Sequence, residues 1–152
     1  MENLNFGRAW MLLTLALLLH VTDEALTGFL GVYNPTVLAL RARVTWLPVP
    51  VFSFRWWLVG LLVACALLFW LSRFAFQGAR WLRPLAYAFA GIMTLNAAGH
   101  TAGTIAGRSF FSIPINRSPM PGFYSSPFLL AASINLLWRL RVSRRLQSRP
   151  YY

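Results

Sequence analysis

From Ala9 to Val32 the chain is apolar almost without interruption, and between Arg8 and Arg41 its only charged residues are Asp23 and Glu24. At a rise of about 1.5 Å per residue such a stretch can cross a hydrocarbon core of roughly 30 Å, so the pattern predicts a first helix over 9–32. Asn34-Pro35 is expected to end it. Thr36 to Val44, with Arg41 and Arg43, then forms a short interfacial helix that Trp46-Leu47-Pro48-Val49-Pro50 cannot continue. A second helix is expected over 54–72, with Arg55-Trp56-Trp57 as an interfacial anchor at one end and Arg73 at the other. A third, over 84–107, starts at Pro84, whose missing N–H is harmless in a first turn. Ser109 to Pro127 carries four prolines and several aromatic residues and reads as a structured loop. A fourth helix takes 127–142, and 143–152 is a basic tail. Trp10 to Leu19 behind Arg8 also resembles a signal-peptide core, but Asp23 stands before Ala25 where a cleavage site wants a small residue.

Composition agrees with this pattern. Of the 152 residues 58% are hydrophobic and 11% charged, with a mean hydropathy of +0.57, whereas soluble domains carry about 25% charged residues. The expected fold is all-α: an integral membrane four-helix bundle in a single membrane domain, with the lipid bilayer as its first partner. One cysteine, Cys65, excludes an internal disulfide framework and a multi-cysteine metal site. The net charge of +11 comes from fourteen arginines and no lysine. They stand between apolar segments instead of on one polar face, which reads as membrane-edge charge and not as a nucleic-acid footprint. Using arginine alone also hints at a GC-rich bacterial genome. The tryptophans at 10, 46, 56, 57, 81 and 138 lie near expected helix ends, where amphipathic aromatics belong.

The acids carry the chemical information. His20, Asp23 and Glu24 follow an i, i+3, i+4 spacing that puts all three on one face of the first helix. An acid at mid-membrane depth costs roughly 2.5–3.5 kcal/mol on insertion scales, so such residues face a bundle interior or a wet cavity and find partners there. Asn96 and His100, again i, i+4, lie on the third helix with Thr104 one turn further. Measured along parallel helices, the two clusters fall at the same level, and Ser133 and Asn135 of the fourth helix belong to that layer. The loop with Tyr124, Ser125 and Ser126 is expected to cover it. Gly99, Gly103 and Gly107 form a small-xxx-small stripe that serves a neighbouring helix or a second copy of the chain, hence a homo-oligomer.

Two histidines, two carboxylates and one or two amides suit two chemistries. One divalent metal ion on His20, His100 and Glu24 or Asp23 matches the two-histidine, one-carboxylate type, whereas a carboxylate-bridged dinuclear site wants about four carboxylates. Metal-free proton transfer between a buried carboxyl and a histidine is the other. The catalytic candidates are therefore His20, Asp23, Glu24 and His100, and Asn96, Thr104, Tyr124 and Asn135 are the candidates for binding a hydrophobic small-molecule or lipid ligand. A polar clasp without chemistry accounts for the same residues. The sequence leaves an enzyme acting on a lipid or isoprenoid-like substrate beside a non-catalytic membrane component that binds a ligand, relays protons or holds a structure together.

His20-Val21-Thr22-Asp23-Glu24 resembles the signature of the HXXEE-domain family of small bacterial integral membrane proteins, His-x-x-Glu-Glu in the first helix. His20 and Glu24 match the motif's histidine and second glutamate, and Asp23 replaces the first glutamate. Met120-Pro121-Gly122-Phe123-Tyr124 and Ser125-Ser126-Pro127 loosely match the Tyr/Pro/Gly element before that family's last helix. The resemblance implies a compact helical membrane fold and brings no activity with it. At the level of site chemistry, His20-x-x-x-Glu24 is also similar to the pair in emopamil-binding-type sterol isomerases, which implies proton movement along an isoprenoid skeleton in a lipid-facing cavity.

Arginines divide nine to five between the two sides of the expected bundle, which puts both termini in the cytoplasm of a cell whose inner membrane holds the protein. A reporter fused to the C-terminus should register as cytoplasmic, and a cysteine placed near Asn116 should label from outside intact cells. Labelling only after permeabilisation reverses the orientation.

Overall fold

Gly28 decides where the first helix stops. Its φ is +81°, and the N–H groups of Gly28 and Phe29 both turn back to the Glu24 carbonyl at 3.1 and 3.0 Å, a left-handed C-terminal cap that glycine adopts without a Cβ penalty. The computed structural model describes residues 2–46, 48–109 and 119–147. Among these the chain is all helical, with no strand and five helices: α1 (Glu2–Thr27), α2 (Leu30–Arg43), α3 (Phe54–Phe76), α4 (Leu82–Ala106) and α5 (Ser126–Gln147).

Several boundaries differ from the sequence reading. The helix expected over 9–32 starts at Glu2 and breaks at Gly28, and the expected interfacial helix becomes α2, which runs straight through Pro35. Proline is tolerated there because it deprives only the Gly31 carbonyl of a helical donor, and Gly31 is exposed with open space around it. Asn34 makes no turn; its side-chain amide donates to the Phe52 carbonyl at 2.9 Å and accepts from the Phe52 N–H at 3.0 Å, tying α2 to the strap before α3. The expected tail from 143 begins inside α5, which continues to Gln147, and residues 148–152 lie outside the described residues.

α1 is central, packing against α3 on one side and α5 on the other, while α4 packs chiefly on α5. Trp10, Leu13 and Val21 of α1, Leu82, Ala86 and Ala97 of α4 and Leu129 and Leu136 of α5 are buried in this core. The alanines of α4 and Gly7 of α1 let backbones approach closely, the packing that matters where lipid leaves no hydrophobic gain between helices. Two helices, α1 over Asn3–Thr27 and α3, are long and apolar enough to cross a membrane. Trp46, Trp56, Trp81 and Trp138 are exposed, as interfacial aromatics would be. Trp10 is not: it is fully buried and donates its indole N–H to the Leu68 carbonyl at 2.9 Å, linking α1 to α3. Trp57 is also buried and rests on Phe29.

A Cβ on Gly7 would stand 2.8 Å from the Phe76 Cα, so one backbone has to move. Gly7→Ala should therefore lower the detergent melting temperature by an amount corresponding to about 1–3 kcal/mol of overpacking. Gly60→Ala, with nothing within 4 Å of the new methyl, should leave it unchanged or slightly raised.

Candidate functional site

Because α1 ends at Thr27, Glu24 lies in its last turn, about 33 Å along the helix from Glu2 at 1.5 Å per residue. Packing against the rest of the protein buries it. His20 on the turn before is fully buried and Glu24 nearly so. α4 brings His100, also buried, to the same place, and the imidazoles of His20 and His100 meet edge to face with centroids 4.8 Å apart. One carboxylate oxygen lies between them: Glu24 Oε1 is 3.1 Å from His100 Nε2 and 3.4 Å from His20 Nε2. Asn96 Nδ2 approaches His20 Nε2 at 3.3 Å. The structure thus joins four of the expected site residues, His20, Glu24, Asn96 and His100, from two helices.

The fifth, Asp23, points elsewhere. Its Oδ2 accepts the backbone N–H and the hydroxyl of Ser125, each at 2.8 Å. The Ser125 hydroxyl oxygen is in turn 2.8 Å from His20 Nδ1. Ser125 belongs to the turn that leads into α5, and that turn is built by Pro121-Gly122. The Phe123 N–H donates to the Met120 carbonyl at 3.0 Å, and Gly122 has φ of +84°, the arrangement of a type II turn with proline second and glycine third. Gly122 is pressed onto the cluster so closely that a Cβ there would lie 2.8 Å from His100 Cε1 and 3.0 Å from Glu24 Cγ. The hydroxyl of Thr27 accepts the Gly122 N–H, and that of Thr104 accepts the Met120 N–H, at 3.2 and 3.0 Å. Thr104 therefore anchors the turn and does not face a ligand.

A cavity of about 420 Å³ opens between α2 and α4. Phe29 just before α2, Val32 of α2, Leu95 of α4 and Met120 give it apolar walls, and Asn96 and His100 bring the cluster to its surface. Gly99 and Gly103 of the small-residue stripe line it too, and Gly107 ends α4 in a left-handed conformation with φ of +65°. Tyr124 is exposed and Asn135 half-buried, and neither lines the cavity. Ser133 accepts a hydrogen bond from Thr94 at 2.9 Å, a link between α4 and α5 away from the cluster.

His20, Glu24 and His100 lie close enough to hold a metal ion, with one ligand atom from each within 4.8 Å of the others. Four ligands at about 2.0–2.1 Å from a tetrahedral zinc stand about 3.3 Å apart, close to the 3.4 and 3.1 Å separations here. His100 Nδ1 is buried and has no hydrogen-bond partner among the described residues.

Sequence reasoning placed Ser125 in the covering loop without giving it a partner, and missed Gly122 and the α2 wall. Ser125-Ser126-Pro127 reads locally as a helix start, and nothing in the sequence says that the first hydroxyl serves Asp23 and His20 instead of a cap. Comparison with protein-family models, with curated proteins and with solved structures finds no match for this chain.

Proposed function

We propose that this chain is an integral membrane enzyme, crossing the bilayer with α1, α3, α4 and α5, that acts on a lipid-like or isoprenoid-like substrate by means of a single divalent metal ion on His20, Glu24 and His100. The observation that carries the reading is a buried carboxylate set at ligand spacing between two imidazoles, beside a cavity with apolar walls. Two imidazoles and one carboxylate suit a borderline transition metal such as zinc or ferrous iron better than magnesium or calcium, which prefer oxygen. Three protein ligands leave a position for water or substrate, and the metal would polarise a substrate oxygen or activate that water. The cavity takes the apolar chain of the substrate, and Asn96 and His100 meet its polar end.

Asn96 beside His20 Nε2 favours a second reading, in which the same polar groups satisfy one another as a clasp between α1 and α4. Glu24→Gln separates the two. Glutamine keeps the size and the hydrogen-bonding capacity, so a clasp should lose about 1 kcal/mol or less and keep its co-purified lipid. The metal reading expects detergent melting close to that of the parent, with loss of the bound metal measured by plasma mass spectrometry. Adding His100→Gln should cost little more than either change alone, because groups acting as one unit are non-additive. A parent that holds no metal, or metal content unaltered by Glu24→Gln, speaks for the clasp.

A further inference from the structure

The hydroxyl of Ser125 has one proton and three neighbours in reach, Asp23 Oδ2 and His20 Nδ1 at 2.8 Å each and the Gly122 carbonyl, which can only accept, at 3.2 Å. Asp23 Oδ2 already accepts the Ser125 backbone N–H, so it is an acceptor, and the hydroxyl at 2.8 Å gives its proton to that oxygen. The same hydroxyl oxygen is then left to accept from His20 Nδ1 at 2.8 Å. We infer that Asp23 and Ser125 are positioning residues that fix His20 as the Nδ1–H tautomer, which leaves its Nε2 unprotonated beside Glu24 Oε1, free to bind a cation that the carboxylate shares. The Asn96 Nδ2 group, a donor 3.3 Å from Nε2, is compatible with that tautomer but is a longer contact than the 2.8 Å one to Ser125.

The order of the three groups also decides what they do not do. In a nucleophilic triad the imidazole stands between hydroxyl and carboxylate; here the hydroxyl stands in the middle, buried, and gives its proton to the carboxylate. Ser125 is therefore no nucleophile, and Asp23 orients a histidine through it. Metal-binding histidines characteristically donate their second ring N–H to such an outer partner, which sets the tautomer and the ring orientation. The inference deepens the metal reading above, yet the tautomer itself follows from hydrogen bonds within the protein and is measurable without metal.

The test uses full-length protein in detergent, stripped with chelator and labelled with ¹⁵N-histidine. The chain has two histidines, so His100→Gln assigns the spectrum. The neutral His20 ring should be protonated on Nδ1 in the parent and in Ser125→Thr, and should lose that preference in Ser125→Ala. In zinc titrations Ser125→Ala should bind about 10–100-fold more weakly than the parent, the cost usual for an outer-shell partner, and Ser125→Thr should restore most of the affinity. A parent His20 protonated on Nε2, or a Ser125→Ala protein with the parental tautomer and zinc affinity, overturns the inference. A parent with the Nδ1–H tautomer that takes up no zinc upholds the positioning role and removes the metal reading.

Discussion

A carboxylate with almost no access to solvent has to be matched by positive charge or by hydrogen-bond donors, and Glu24 imposes that demand on everything around it. Among the described residues the groups within ion-pair distance of Glu24 are the two imidazoles and no arginine, and with His20 Nε2 unprotonated only His100 can donate to it. Arg108, at the far end of α4, lines the same cavity but is exposed and forms no ion pair among the described residues. The described arginines thus leave this buried acid to two histidines. A site of that composition lends itself to a cation smaller than a side chain.

The rest of the architecture follows from bringing His100 to Glu24. α1 must end just beyond Glu24, which Gly28 accomplishes. The turn before α5 must press onto the two side chains without a Cβ, which Gly122 accomplishes. Thr27, Thr104 and Ser125 hold that turn by its backbone, so α1, α4 and the start of α5 share one polar junction at the end of the bundle. The other end is held by packing of Gly7 on Phe76 and by the Trp10 indole. α2, which follows Gly28 and is tied to the strap by Asn34, faces α4 across the cavity and forms one of its walls.

Much of this was legible because helical spacing is a strong constraint. The i, i+4 pairs His20/Glu24 and Asn96/His100 each present one face, and residue counting placed them at one level before any coordinates. The same counting went wrong at Gly28, because a glycine inside an apolar run gives no periodic signal, whereas Asn34-Pro35 gives a strong one that tertiary contacts override: Asn34 found Phe52, and Pro35 fell where little was lost. Asp23 was read with Glu24 because a helix face places them together, but a side chain at i+3 can turn to a different neighbour, and that neighbour, Ser125, is 102 residues away. Trp10 looked interfacial from its position near a helix end, and the extension of α1 back to Glu2 buried it.

The central claim is that His20, Glu24 and His100 form one metal centre. X-ray absorption at the metal edge, on the intact protein purified in detergent and loaded with zinc, addresses it most directly. The account predicts one ion per chain, with a first shell of nitrogen and oxygen at about 2.0–2.1 Å and the outer-shell scattering of two imidazoles. A shell containing sulfur from Cys65, scattering from fewer than two imidazoles, or no retained ion would contradict it.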